Sequence, residues 1–342
     1  MASRVGRSKI GMTFIRIGFT ASMVFCALLA AAAVAQKQDQ KNDKTSPPVW
    51  TVPDINALPD DAAGRLVRHG RDLITMTDAY IGPHAADRDT RFAGNNLACG
   101  NCHLEAGTKK FGLPIFGLAS DFPRYSARTG ADISIEERMN GRPLPVQSPD
   151  MQALAAYVKF LSSGVVQGEQ VPGHGAGTMP ELDRAADPKH GKLVYTRACL
   201  DCHNTNGSGI ARSPQAMSLG YAVPSLWGGD SFNDGAGMAR LITLANFLHS
   251  NMPHGADYRN PMLSNEAAWD VAAYVESQAR PHKSGLDRDF SSDLLDKPVD
   301  APNGPYADGF TEEQHKYGPF ESIRAAVARL KAEQDKVPNN AR

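Results

Sequence analysis

The sequence predicts a mainly α-helical fold of two tandem halves followed by an extended C-terminal tail. Three observations predict it. Helix caps followed by apolar stripes occur twice in the same order, and a five-residue cysteine motif at 99 recurs 100 residues later, at 199. No segment alternates apolar and polar residues as a half-buried strand does. A 100-residue period is too long for a solenoid and suits duplicated small domains.

The elements follow in chain order. Residues 1–35 hold four cations (Arg4, Arg7, Lys9, Arg16) and no acid, and run through IGFTASMVFCALLAAAAVA to the small residues Ala33-Val34-Ala35. This pattern reads as a secretory signal peptide cleaved near Ala35, which places the mature chain in the periplasm. The alternative is a retained N-terminal anchor, because the apolar run is about the ~20 residues that cross a bilayer. No other segment is apolar enough to span a membrane, so none remains after cleavage. Residues 36–58 are polar and Pro-containing and read as a flexible leader.

The first domain is assigned to 59–165. Asp60 is the expected N-cap of a helix through DDAAGRLVRHGRDLITMT, with Leu66, Val67, Leu73 and Ile74 on its apolar face. Ser148 caps SPDMQALAAYVKFLSS with Pro149 at the favoured first position, and Met151, Leu154, Tyr157, Val158 and Leu161 form its stripe. The Gly-rich stretch 166–186 reads as a linker. The second domain, 187–283, opens with a helix at Asp187-Pro188 and closes with one capped by Ser264, in which Trp269, Ala272, Ala273 and Glu276 mark successive turns. The tail 284–342 is Pro/Gly/Asp-rich up to a short helix, FESIRAAVARLKAEQ, and is expected to wrap the domains.

Composition narrows the function classes. With 36 Lys+Arg against 37 Asp+Glu, removal of the first 35 residues leaves 307 residues and a charge of −5. That length suits about two domains with real cores. An acidic chain without a basic stripe argues against nucleic-acid binding. The 42% hydrophobic content and only 5 cysteines exclude collagen-like, disulfide-dense and wholly disordered classes.

Four of the five cysteines lie in two C-x-x-C-H sequences, Cys99-Gly100-Asn101-Cys102-His103 and Cys199-Leu200-Asp201-Cys202-His203. This is the pattern of c-type haem attachment. Two thiols at this spacing each form a thioether to a haem vinyl group, and the adjacent histidine becomes the proximal iron ligand. Two covalently bound c-type haems are therefore expected, one in each half, and the halves read as tandem class I cytochrome c domains. Three alternatives use the same residues. A thioredoxin-like pair needs a βαβ setting, which the sequence lacks. Zinc-binding pairs lie about 15–20 residues apart, against nearly a hundred here. Disulfides suit an exported chain but leave both histidines to coincidence.

A low-spin haem takes a sixth ligand, usually Met or His. In the second half the candidate is Met252, in the loop sequence LHSNMPHG; Met217, Met238 and Met262 compete, and Met238 looks like helix packing. In the first half Met139, in ERMNGRPLP, occupies roughly the corresponding place, whereas Met151 lies on the helical stripe and reads as core.

These residues resemble the dihaem thiosulfate dehydrogenases, which couple two thiosulfates into tetrathionate or run the reverse reaction. The resemblance rests on NLACGNCHLEAGTKKFGLP, FPRY and MNGRPLP in the first half. In the second it rests on PSLWGGDSFNDGAGMARLITLANFLHSNMPHG and AWDVAAYVESQARPH, and in the tail on GPYADGFTEEQHKYGPF. It implies His103 and His203 as proximal ligands and Met252 as a distal ligand, with a soluble electron-transfer cytochrome as partner. Two departures stand out. Some members carry a Lys before the distal Met and exchange the two ligands; here that residue is Asn251, so no such exchange is expected. The family's catalytic haem carries a Cys distal ligand, and the counted position here is Ser134, with no cysteine between Cys102 and Cys199.

Arg124, Arg128, Arg138 and Arg142 surround the stretch from FPRY to MNG and offer an electropositive pocket for a sulfur dianion, with Arg124 and Arg142 the first choices for substrate contact. Haem propionates are the competing partners for the same arginines. Lys109-Lys110 add field or are surface. Two functions follow. One is an electron-transfer cytochrome without substrate chemistry, favoured by the missing thiolate. The other is an oxidoreductase acting on thiosulfate at the first haem.

Overall fold

The computed structural model describes residues 50–139, 144–213, 215 and 219–336. The expected signal segment and most of the leader lie outside these residues. The chain builds two hydrophobic cores, each organised by one helix before and one helix after a cysteine motif. In the first, α1 (Ala62–Thr75) and α2 (Thr77–Ile81) precede the motif, and α3 (Ile135–Met139) and α4 (Pro149–Leu161) follow it. Leu73, Ile74, Met151, Leu154, Tyr157, Val158 and Leu161 meet between α1 and α4.

In the second, α5 (Pro188–Ala198) precedes the motif, and α6 (Leu241–Asn251) and α7 (Asn265–Glu276) follow. Leu241, Leu244, Trp269, Val271 and Ala272 form its centre. No helix among the described residues is long and apolar enough to cross a membrane.

Local chemistry sets the helix ends. The Ser148 hydroxyl accepts from Met151 N (3.2 Å), Asp187 accepts from Lys189 N (2.8 Å), and Ser264 accepts from Ala267 N (3.2 Å). Each bond satisfies one of the backbone donors that a helix start leaves unpaired. Ser148→Ala is therefore expected to cost about 1 kcal/mol, read as a shift in the denaturant midpoint.

At the first helix the expectation is off by one residue. The cap is Asp61, which accepts from Gly64 N at 2.8 Å. Asp60 instead pairs at the surface with Arg65 (3.1 Å) and Arg68 (3.3 Å). Leu66 also departs from expectation. It is 38% exposed, so the buried face of α1 is carried by Leu73 and Ile74 together with Gly64 and Gly70.

The fold also contains two small hairpins that the sequence did not announce. β1 (Arg124–Ser126) pairs antiparallel with β2 (Ala131–Ile133), and β3 (Ile210–Ala211) pairs with β4 (Tyr221–Val223). Strands of two or three residues are too short to show a period of 2.

The segment between the cores is tied down. Gly173 O accepts from Phe111 N (2.7 Å), and Gly175 O accepts from Leu113 N (3.0 Å). Ala176, Met179 and Ala186 join the second core.

After α7 the chain crosses back to the first half, where Phe290 N donates to Arg128 O (2.9 Å) and Asp289 pairs with Arg128 (3.5 Å). It then forms α8 (Glu312–Tyr317) and α9 (Glu321–Gln334). His315, fully buried on α8, bonds through Nδ1 to Val299 O (2.8 Å) and through Nε2 to Asp308 (3.1 Å), and its ring stacks on Tyr306 at 3.7 Å. Phe320 and Ile323 of this segment complete the second core, with Phe320 against Trp269.

Candidate functional site

Both cysteine motifs close on the same two backbone hydrogen bonds, the first in a 3₁₀ turn and the second in an α-helical turn. Cys102 N and His103 N donate to Cys99 O at 3.2 and 2.9 Å, and Cys202 N and His203 N donate to Cys199 O at the same two distances. One helical turn thus places residues i, i+3 and i+4 side by side, which is the reason the chemistry needs this spacing. The turn of the first motif is pinned from α2, where Thr77 Oγ1 accepts from Cys99 N (2.9 Å) and donates to Leu73 O (2.6 Å).

The histidines are oriented alike. His103 Nδ1 lies 2.6 Å from Leu113 O, and His203 Nδ1 lies 3.0 Å from Pro224 O. A carbonyl only accepts, so each Nδ1 carries the proton and each Nε2 keeps its lone pair for a metal. Burial holds both imidazoles below the usual histidine range, against the opposing pull of these carbonyl bonds, and the charge of Arg138 pushes His103 the same way as burial. Neutral imidazole is the ligating form.

All four cysteines are free thiols, not disulfides. Burial and the neighbouring cysteine push Cys102 and Cys199 up to about 11, the reverse of the depressed thiols of a redox-active pair. Among the described residues no three His, Cys, Asp or Glu side chains converge as a metal-binding group, so the two motifs do not assemble one zinc centre. Two unbridged thiols and one carbonyl-oriented imidazole per turn are the donor set that a covalent haem takes.

The methionines sort by burial. Met252 follows the last residue of α6, partly buried at the edge of the second core, with its N–H donating to Leu248 O (2.9 Å). Met238 is buried in that core and Met262 is 55% exposed, while Met217 lies outside the described residues. Met139 is the last residue of α3, partly buried against the first core, whereas Met151 is fully buried within it. Ser134 is committed elsewhere. Its hydroxyl accepts from Glu137 N (3.2 Å) while Glu137 accepts from Ser134 N (2.7 Å), a reciprocal capping box at the start of α3.

Three of the four sequence-flagged arginines share one neighbourhood. Arg124 leaves β1 with its guanidinium 5.0 Å from the Phe122 ring. Arg128, in the β1–β2 turn, donates to Gly235 O (3.1 Å) besides pairing with Asp289. Arg138 lies on α3. Loss of hydration first, and then the charges of Arg124, Arg128 and Arg240, hold its guanidinium below the ordinary arginine range. Among the described residues neither Arg124 nor Arg138 has a carboxylate partner, whereas Arg240 stands 3.8 Å from Asp300. Arg142 lies outside the described residues. Lys110 turns away to cover Trp50 at 5.5 Å. Arg240 is the member that sequence reasoning missed. It lies within the second-half stretch PSLWGGDSFNDGAGMARLITLANFLHSNMPHG, more than a hundred residues from the other arginines in sequence, and reaches the cluster from the opposite half, just before α6.

Residues 188–279 match the cytochrome c family, which brings haem c as the cofactor. Over 277 residues the chain is 39% identical to a thiosulfate dehydrogenase of Allochromatium vinosum, covering 77% of this chain and 94% of the relative. A thiosulfate dehydrogenase of Thiomonas intermedia is 34% identical over 274 residues, 78% of this chain and 82% of that one. The chain belongs to the thiosulfate dehydrogenase family.

A third member, from Stutzerimonas stutzeri, is 37% identical over 242 residues, 68% of this chain and 74% of its own. Among solved structures, the thiosulfate dehydrogenase (TsdBA) of Marichromatium purpuratum in its "as isolated" form superimposes with a TM-score of 0.60 at 26% identity. That match covers 80% of this chain but only 54% of the solved one, so the chain spans about half of that larger molecule.

Proposed function

We propose that the chain is an exported dihaem c-type cytochrome that carries out electron transfer. In this reading the signal peptide 1–35 is removed and the protein works in the periplasm with a soluble electron-transfer cytochrome as partner. Residues 59–165 and 187–283 are its tandem cytochrome c domains, joined by 166–186 and wrapped by 284–342. The observation that carries the reading is the duplicated motif geometry: two turns with the same hydrogen bonds, each ending in an imidazole whose Nδ1 is tied to a carbonyl.

Haem c, when bound, supplies a one-electron iron couple. Cys99 and Cys102 would hold one group by thioethers, and Cys199 and Cys202 the other. His103 and His203 would serve as the proximal ligands, with Met252 as the distal ligand in the second half and Met139 as the distal candidate in the first. The carbonyls of Leu113 and Pro224 fix the imidazole planes.

The arginine cluster favours a second reading, in which the first half binds a small sulfur dianion. Joining two thiosulfates forms one S–S bond and releases two electrons. Arg124, Arg138 and Arg240 would hold the anions against their mutual repulsion, and Arg142 is a further proposed contact. Ser134, engaged as a helix cap, offers no thiolate for that chemistry, so the relay stands first.

One experiment separates the two. Thiosulfate-dependent reduction of ferricyanide by holoprotein is compared with that of Arg138→Gln. Under the second reading kcat/KM falls about tenfold to a hundredfold, the worth of a hydrogen bond to a charged group. Under the relay reading no turnover occurs, and both haems show the low-spin spectrum of six-coordinate iron.

A further inference from the structure

Both halves meet at one strained loop. Phe111 (φ 57°) and Leu113 (φ 52°) hold left-handed backbone conformations that side-chain-bearing residues rarely adopt. Hydrogen bonds from every side keep them there. Phe111 N and Leu113 N donate to Gly173 O and Gly175 O, and Gly112 O accepts from Leu104 N (3.0 Å). The Phe111 ring packs edge-on against Tyr258 at 4.8 Å. Leu113 supplies the carbonyl that orients His103, and Cys102, Leu104 and Leu113 all pack against the core of the second half.

The remaining tether comes from Asn251. This side chain is 2% exposed, and its amide nitrogen donates to Phe111 O at 2.9 Å and to Phe247 O at 3.1 Å. Two carbonyl acceptors fix which way the amide faces. Its own oxygen is buried without a partner, a condition that costs stability. A hydrophobic residue of similar shape would avoid that cost, so the two donated bonds are the reason for an amide here. Asn251 is also the residue directly before Met252.

We propose that Asn251 is a positioning residue that couples the two haem sites. It ties the backbone carrying Met252 to the loop whose carbonyl orients His103. The connection runs from Met252 to Asn251, across the 2.9 Å bond to Phe111, along the chain to Leu113, and across the 2.6 Å bond to His103 Nδ1. A shift of Met252 pulls on the Phe111 loop, and a rotation of His103 pushes back through it. The inference rests on His103 and Met252 being ligands as proposed above.

The test uses haem-loaded full-length protein and Asn251→Leu, which keeps the volume and removes both donors. Two changes are expected together: the Met–iron absorption band weakens, and the first haem's midpoint potential and iron–histidine vibration shift. Asn251→Gln, which keeps a donor on a longer arm, restores part of both. If Asn251→Leu does not fold, Met252→Ala reads the same link from its other end, because coupling between sites is reciprocal. It is then the first haem's iron–histidine vibration that must move.

An unchanged first haem in either variant overturns the coupling while leaving the ligands as assigned. A Met–iron band that is absent from native protein, or that survives Met252→Ala, overturns the ligand assignment and the coupling with it.

Discussion

Replacing His203 with alanine is expected to remove the low-spin signature of one haem and leave the other intact. The thioethers depend on Cys199 and Cys202, so pigment stays covalently attached. The imidazole alone supplies the ligating nitrogen of that turn, and Pro224 O has already selected its tautomer. About half of the low-spin absorbance should convert to high-spin, one iron of two, and added free imidazole should restore it by occupying the space left behind. His103→Ala should do the same to the other half of the signal. Optical spectra of oxidised protein, taken before and after imidazole addition, read both results. A spectrum unaltered by His203→Ala would show that the residue is not a ligand.

What the sequence could announce depended on how local each interaction is. Ser148, Asp187 and Ser264 were legible because a cap is decided within three residues. The choice between Asp60 and Asp61 was not, since two adjacent carboxylates have the same chemistry and the chain's entry angle selects one. The C-x-x-C-H turns were legible because spacing along a single turn fixes their geometry. The capping box at Ser134 is equally local, written as Ser-Ile-Glu-Glu with the two partners three residues apart.

Interactions across the fold left no such trace. Arg240 joins Arg124, Arg128 and Arg138 only because the second half packs beside the β1–β2 hairpin. The 166–186 segment reads as a spacer from its glycines, yet Gly173 and Gly175 present carbonyls to the His103 loop. Composition describes how a segment bends, not what it bends against.

A glycine sits at the crossing of two helices in each half, and Gly191→Ala is expected to destabilise strongly. In each half the helix before the motif crosses the helix after it at a glycine. A methyl group on Gly70 would lie 2.0 Å from Ala153 O and 2.7 Å from Tyr157 Cβ; on Gly191 it would lie 1.8 Å from Asp270 O and 2.9 Å from Tyr274 Cβ. Both crossings therefore set a glycine against a backbone carbonyl and against a tyrosine four residues further on. Neither contact is relieved by a side-chain rotation, because the obstacle is main chain.

At Gly191 the crossing also carries polar structure. The Asp270 carboxylate receives Arg184 Nη1 and Nη2 (2.7 and 2.8 Å), Asp187 N (2.9 Å) and His190 Nδ1 (2.7 Å), so moving α7 outward disturbs all of them. Alanine gains about 1 kcal/mol over glycine from helix propensity. Overpacking a tight core costs about 1–3 kcal/mol and more where backbone must move. With backbone as the obstacle the cost exceeds that range's middle, at about 3–4 kcal/mol, and after the propensity gain the net loss is about 2–3 kcal/mol.

Gly237→Ala is the control, since a methyl group there meets nothing within 4 Å. Denaturant unfolding of the holoproteins should rank Gly191→Ala well below Gly237→Ala, and Gly70→Ala should weaken the first core in the same way. Equal stability of Gly191→Ala and Gly237→Ala would mean that the helices cross with more room than 1.8 Å implies. The shared glycine would then lose its standing as a packing constraint common to both halves.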